Sequence, residues 1–188
     1  RPPVQTLVVA GELKPYKGLD VLLEALGRLG PGGGLRLVVA GRPRMDVAPL
    51  LRRARDLGLG RTVHAGEGRP PAEIREAVLH LHAQRIGHGT TLPDDPAVLD
   101  LVRERGVTIE ACLTSNLQTG AIPALEAHPL PRLLGTGVKA TVCTDNTLFS
   151  DVDAPGEYRR AAALPGMDGA VVETLAAFGH AAAFPRRG

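Results

Sequence analysis

The 188-residue sequence is long enough for one domain with a sizeable core, or for two small domains. Hydrophobic residues make up 44% and charged residues 22%, and the net charge of +2 arises from signs mixed along the chain, so neither nucleic acid nor a membrane surface is predicted as a partner. No apolar run approaches the roughly 18 residues of a membrane-spanning helix, and we expect no secretory leader.

Short apolar runs alternate with amphipathic helical patterns along the chain. The predicted strands are 7–10, 35–40, 62–63, 85–88, 107–112 and 138–143. The predicted helices are 19–29, 46–57, 70–82, 95–105, 129–134, 155–163 and 169–183. These make about six βα units, which predicts an α/β fold with a parallel sheet, either part of a (β/α)8-type barrel or an open flavodoxin-like sheet.

The predicted core is aliphatic, because aromatic residues make up only 3% of the chain. Two cysteines, Cys112 and Cys143, stand in apolar strand-like runs. We expect them to be buried and reduced rather than joined in a disulfide, which suits a cytoplasmic protein.

Polar residues stand at the ends of four successive predicted strands. They are His64 and Glu67, then His88, then Ser115 and Asn116, then Asp145 and Asn146. The carboxyl ends of parallel strands lie on one rim, where βα proteins bind their ligands. We therefore expect these side chains to form one site.

The motifs that carry these residues resemble the C-terminal half of the adenosine deaminase family, over about residues 61–184. They are His64-Ala-Gly-Glu67, Arg85-Ile-Gly-His88-Gly89, Cys112-Leu-Thr-Ser-Asn116, His128-Pro-Leu130, Thr144-Asp145 and Glu157-Tyr158. In that family these segments end the last four strands of a (β/α)8 barrel. The resemblance implies a zinc-dependent aminohydrolase, in which zinc-activated water attacks C6 of adenosine or a related aminopurine and ammonia leaves.

The resemblance also implies a role for individual residues. His64 and Asp145 match two of the family's metal ligands, Glu67 matches the proton shuttle to purine N1, and His88 matches the residue that orients the attacking hydroxide. Ser115 and Asn116 match a pair that supports the site, although they could equally cap the turn after the strand.

Two further residues are expected to meet the substrate. Gly66 would allow the backbone to approach the ligand closely. Asn146 stands where the family more often has an aspartate that contacts purine N7, and an amide can still donate a hydrogen bond to that nitrogen. We assign no role to His128 or His180.

The sequence departs from the family at the metal site. The family's early His-x-His pair is missing, since no histidine precedes His64. Three or four protein ligands normally hold a catalytic zinc, so activity is expected to be weak or absent. His80 and His82 have the spacing of the missing pair, but they stand at a predicted helix end, where histidines favour the helix dipole.

A second set of motifs lies in residues 1–60. They are Gly11-Glu-Leu-Lys-Pro-Tyr-Lys17-Gly18-Leu-Asp-Val-Leu-Leu-Glu-Ala-Leu26, then Leu35-Arg-Leu-Val-Val-Ala-Gly41, then a helix that ends in Asp56-Leu-Gly-Leu59. These motifs resemble the nucleotide-sugar-binding domain of GT-B retaining glycosyltransferases. Lys17 and Gly18 match the loop that meets the diphosphate there, although a surface lysine in a turn is the alternative interpretation. Glu12 stands where that family usually has arginine, and the family's acidic pair is absent. The sequence is therefore interpreted as a chimera of two segments, 1–60 and 61–188.

Three functional hypotheses follow. The first is a deaminase-derived zinc hydrolase that acts on a purine nucleoside. The second is a non-catalytic βα chimera that keeps the motif residues as relics. The third is a nucleotide-sugar or phosphate binder that uses the first segment. Six βα units would leave an exposed strand edge, which predicts association into a homo-oligomer.

Overall fold

A computed structural model describes residues 5–10, 18–29, 35–40 and 45–184 of the chain. The chain divides into two compact units, 1–60 together with 184–188, and 61–183. Within the described residues, no helix is long and apolar enough to cross a membrane.

The described residues of the first unit form two parallel strands and two helices. Strand β1 (Gln5–Ala10) pairs in register with β2 (Leu35–Ala40). Helices α1 (Leu19–Leu29) and α2 (Ala48–Asp56) bury a small apolar cluster, which consists of Leu19, Leu23, Leu50 and Ala54. Leucines at helical spacing thus give α1 one apolar face, as the sequence predicts.

The second unit is a four-stranded parallel sheet with the order β3-β4-β5-β6. Its strands are β3 (Thr62–Ala65), β4 (Arg85–His88), β5 (Thr108–Ala111) and β6 (Ala140–Val142). Its helices are α3 (Ala72–Leu79), α4 (Pro96–Glu104), α5 (Leu113–Gln118), α6 (Leu130–Gly135), α7 (Thr147–Ser150), α8 (Ala154–Ala162) and α9 (Gly169–Ala182).

The two faces of this sheet differ in chemistry, because side chains alternate along a strand. Val63, Ile86, Ile109 and Ala140 stand side by side in the strand register. The last three belong to the main apolar cluster, and the partly buried Val63 packs against it. The next row on the opposite face begins with His64, Gly87 and Glu110. This second face therefore carries the polar side chains that run toward the site.

The predicted α/β class with a parallel sheet is confirmed, and an open sheet of this kind is consistent with part of a barrel. Three details differ from the predictions. The helix predicted over 70–82 ends at Leu79, because His80 caps it and His82 has a left-handed backbone with φ +53°. Helices α5 and α7 were not predicted. Both cysteines are free, but only Cys112 is fully buried and Cys143 is half-buried.

Candidate active site

Two of the predicted site residues have an unusual backbone at the carboxyl ends of their strands. His88 has φ +72° and Asp145 has φ +55°. Positive φ is uncommon for residues other than glycine and costs of order 1 kcal/mol or more. The rest of the fold sustains this strain at the ends of β4 and β6, where the chain turns toward the rim.

The structure brings four predicted residues together on this rim. His64 Nδ1 lies 3.2 Å from His88 Nε2, and the two rings meet edge to face. Glu67 Oε2 lies 3.6 Å from His88 Nε2, and Asp145 Oδ1 lies 3.9 Å from His64 Nε2. His88 is buried, whereas 61% of the His64 side chain is exposed. The cluster is therefore buried at His88 and open to solvent at His64.

The cluster has the chemistry of a transition-metal site. His64, His88 and Asp145 each offer one ligand atom, and these atoms lie within 4.8 Å of one another. Imidazole nitrogen and carboxylate oxygen are both ligands that zinc accepts. His64 and Asp145 therefore fit as zinc ligands.

Asp145 is held in place by its neighbour on α5. Ser115 donates its hydroxyl to Asp145 Oδ2 at 2.8 Å, which leaves Oδ1 on the side of His64. The next residue, Asn146, is exposed and caps helix α7, since its Oδ1 accepts a hydrogen bond from the Phe149 N–H. The amide nitrogen of Asn146 remains as a donor.

Glu67 is oriented by Thr119, whose hydroxyl donates to Glu67 Oε1 at 2.9 Å. The preceding Gly66 has φ +68°, and a Cβ there would lie 2.6 Å from Ile74 Cδ1. Its carbonyl accepts a hydrogen bond from Thr90 Oγ1 at 2.7 Å. The close approach that the glycine permits in this structure is thus to Ile74 of α3, and its contact with substrate stays a prediction.

A chain of hydrogen bonds runs from His88 into the core. His88 Nδ1 lies 2.9 Å from Asn116 Nδ2, and Asn116 Oδ1 lies 3.1 Å from His128 Nε2. His128 Nδ1 accepts a hydrogen bond from the Leu130 N–H at 3.1 Å. Burial lowers the pKa of His128 to about 4, and burial together with the nearby His64 lowers the pKa of His88. His128, which received no role from the sequence, therefore belongs to the site.

Gly87 also belongs to the site, although no motif in the sequence predicts it. A Cβ at this position of β4 would lie 2.6 Å from Cδ2 of His64 on the neighbouring strand. The absence of a side chain is what gives the His64 ring its space. The strand register, which pairs His64 with Gly87, is the signal that could have revealed this contact.

Glu157 of α8 holds helix α5, which carries Ser115 and Asn116. This fully buried residue of α8 accepts hydrogen bonds from the Thr114 N–H and hydroxyl, and Arg160 Nη1 lies 3.4 Å away. The Glu157 carboxylate thus satisfies an N–H in the first turn of α5, where the helix dipole favours negative charge. Ser115 and Asn116 lie inside this helix, so the alternative in which they cap a turn is wrong.

The remaining candidates lie away from the cluster. Among the described residues, the group that could hold a metal ion consists of His64, His88 and Asp145, and it includes neither His80 nor His82. His80 Nε2 lies 3.7 Å from Glu76 of α3. Gly18 precedes α1 with φ +63°. Lys17 lies outside the described residues, so its predicted phosphate contact stays a prediction.

The two cysteines meet where β5 and β6 end. Cys143 N–H donates to the Ala111 carbonyl at 2.8 Å, in the direction of the strand ladder. The neighbouring Cys112 side chain lowers the pKa of Cys143 to about 7, and Cys143 together with burial raises the pKa of Cys112, whose thiol donates to the Glu110 carbonyl at 3.4 Å. Both thiols lie beside the site without belonging to its cluster.

The fold is similar to those of a deaminase and an amidohydrolase of known structure. The structure of an adenine deaminase from Arthrobacter aurescens is similar to 96% of this chain, with a TM-score of 0.79 and 29% identity over 56% of its own length. An amidohydrolase from Burkholderia ambifaria with bound zinc gives a TM-score of 0.77 at 21% identity, over 94% of this chain and 51% of its own. The second likeness speaks for the fold alone.

The sequence comparisons are more specific. A family model described as adenosine deaminase matches residues 40–186. The adenosine deaminase of Serratia proteamaculans is 43% identical over 132 residues, which cover 70% of this chain and 40% of that protein. The chain belongs to the adenosine deaminase family. It spans less than half the length of that relative and just over half of the adenine deaminase.

The comparisons give no support to the glycosyltransferase-like first segment or to a chimera. The family model begins at residue 40, before the predicted seam, and the adenine deaminase structure covers nearly the whole chain. Short motifs such as Gly11 to Gly18 are common to many βα proteins, because a strand that leads through a glycine turn into a helix needs similar residues.

Proposed function

We propose that this chain carries the C-terminal part of a zinc-dependent aminohydrolase that deaminates adenosine or a related aminopurine. The proposal is carried by one observation, the convergence of His64, Glu67, His88 and Asp145 at one rim of a parallel sheet. The names of its relatives, adenosine deaminase and adenine deaminase, point to a purine with an exocyclic amine as the substrate.

The residues divide into ligands and groups that handle the substrate. His64 and Asp145 would hold the zinc, with Ser115 keeping the carboxylate in position. Bound zinc supplies the Lewis acidity that makes water a competent nucleophile at neutral pH. Asn146 caps α7 through Oδ1 and keeps an amide N–H to donate to a ring nitrogen of the purine.

Glu67 is the proton carrier in this proposal. Its side chain is 29% exposed, so it reaches the mouth of the site, and Thr119 holds one of its oxygens. Hydrolytic deamination adds water at C6, needs a proton at N1, and releases the amine as ammonia. A carboxyl group at this position can deliver the proton to N1, while the buried His88 orients the attacking oxygen.

Two protein ligands are fewer than a catalytic zinc normally has. We therefore propose that this chain by itself binds zinc weakly and deaminates its substrate slowly. A cytoplasmic location and self-association stay predictions. The alternative is a non-catalytic protein that keeps the motif residues as relics, and ammonia release distinguishes the two.

The test measures zinc stoichiometry and ammonia release from adenosine and other aminopurines at saturating zinc. We expect slow release in the wild type and none above background in Glu67→Gln, which keeps an acceptor for Thr119 but cannot carry the proton. The matched control is Glu73→Gln in the first turn of α3, whose partner is the exposed Arg69 in the loop before that helix. Equal ammonia release by wild type and Glu67→Gln would reject the proposal in favour of the relic.

A further inference from the structure

One buried group near the site has not been used by the proposed reaction. His128 is almost inaccessible and lies between α5 and α6, twelve residues along the chain from Asn116. A buried histidine needs hydrogen-bond partners for both ring nitrogens. The partners of His128 determine where the hydrogens lie along the hydrogen-bond chain from His128 to His88.

The hydrogen-bond chain ends at a backbone amide, which can only be a donor. The Leu130 N–H can only donate, so His128 Nδ1 must be an acceptor without a hydrogen. The single hydrogen of the neutral ring is then on Nε2, which faces Asn116. Burial supports this neutral form, since it lowers the pKa of His128 to about 4.

Asn116 connects the His128 ring to the His88 ring. Its Oδ1 accepts from His128 Nε2–H, which turns its amide NH2 toward His88 Nδ1 at 2.9 Å. His88 Nδ1 is therefore an acceptor, and the hydrogen of its ring is on Nε2. That atom lies 3.2 Å from His64 Nδ1 and 3.6 Å from Glu67, at the mouth of the site.

We propose that His128, acting through Asn116, is a positioning residue that holds His88 as a hydrogen-bond donor with its hydrogen on Nε2. The role of the His88 Nε2–H rests on the proposed function, because this N–H would donate a hydrogen bond to the attacking oxygen. The tautomer itself rests only on the hydrogen-bond chain.

The arrangement also decides which histidine can bind the metal. A ring nitrogen that carries a hydrogen cannot give a lone pair to zinc, so His88 is excluded as a third ligand although its distance would allow it. His64, with 61% of its side chain exposed, can turn its ring and present a lone pair.

The test uses the full chain with 15N-labelled histidine, and long-range proton–nitrogen correlation spectra that distinguish the two tautomers. We expect the Nε2–H form for both His88 and His128. Asn116→Asp has the same shape but only acceptors, so His88 should move its hydrogen to Nδ1, while His128 keeps its own on Nε2. His180→Gln, at an exposed position of α9, should change neither spectrum.

A second pair covers the case in which Asn116→Asp does not fold. His128→Gln keeps a donor for Asn116 and should leave His88 in the Nε2–H form, whereas His128→Leu should give signals of both tautomers. The proposal is overturned if wild-type His88 carries its hydrogen on Nδ1, or if His128→Leu leaves the tautomer as in the wild type.

These spectra need neither zinc nor a purine, so they decide the inference even if the chain releases no ammonia. If it does release ammonia, a split in the kinetic constants adds a second readout. We expect kcat to fall about tenfold in His128→Leu with KM nearly unchanged, and His128→Gln to restore most of it.

Discussion

Ser115 donates a 2.8 Å hydrogen bond to Asp145, and so ties helix α5 to the loop that follows strand β6. The bond uses Oδ2 and leaves Oδ1 facing His64. A carboxylate after a strand, with a left-handed backbone, would otherwise sample several orientations. The neighbouring helix therefore sets the direction of a proposed zinc ligand.

Removing this bond should weaken metal binding more than it weakens the fold. In Ser115→Ala we expect zinc affinity to fall by about 10- to 100-fold, the usual effect of losing a partner that orients a ligand. The free energy of unfolding should fall by only about 1 kcal/mol. Zinc titration calorimetry and urea unfolding measure the two quantities. Ser150→Ala, which loses a similar bond to Gln118, is the control and should keep its zinc affinity.

Gly87→Ala should separate metal binding from stability in another way. The new methyl group would lie 2.6 Å from the His64 ring, which must move. Because that ring is largely exposed, it can turn at little cost, and we expect unfolding to change by less than about 1 kcal/mol. Zinc affinity should nevertheless fall about tenfold or more.

The control for this variant is Gly135→Ala in α6, where a methyl group meets no atom within 4 Å. Both variants add the same group, so a shared loss of zinc affinity would contradict the role given to Gly87.

The sequence predicts much of this fold because the apolar runs and their glycine stops are local signals. Strand β4 and helix α1 have the bounds that the pattern predicts. Helix α5 escapes prediction, since Thr114, Ser115 and Asn116 have modest helix propensity. It is held by Glu157, which lies 43 residues further along the chain than Thr114.

The site divides in the same way. His64, Glu67 and His88 stand in short motifs beside predicted strands, so their place on one rim follows from topology. The link from His88 through Asn116 to His128 depends on where α6 packs, and no spacing in the sequence encodes it. Helix α7 was missed because it has only four residues and its Leu148 and Phe149 are exposed.

Glu157 should matter to stability because it satisfies buried donors of α5. In Glu157→Ala the Thr114 N–H and hydroxyl lose their partner and a cavity forms, so the free energy of unfolding should fall by about 3 kcal/mol. Glu157→Gln keeps one acceptor oxygen and should lose about half as much. Urea unfolding with Glu126→Ala, an exposed position, as control gives the comparison. Equal losses in Glu157→Ala and Glu126→Ala would refute the role of Glu157.

The buried His128 should make stability depend on pH between 6.5 and about 4. The folded protein lowers the pKa of this histidine from 6.5 to about 4, so in this window the unfolded chain binds a proton that the folded chain does not. Stability therefore falls as the pH falls through the window, and the full effect amounts to about 3 kcal/mol.

The His128→Gln variant lacks this buried histidine, while all other titratable groups are present in both proteins. The difference in unfolding free energy between wild type and His128→Gln should thus shrink steadily from pH 6.5 toward pH 4 in urea titrations. His180→Gln controls for the loss of an exposed histidine. A difference that stays constant across the window would mean that His128 takes up its proton equally well in the folded protein, and would remove the neutral ring on which its hydrogen bond to Asn116 depends.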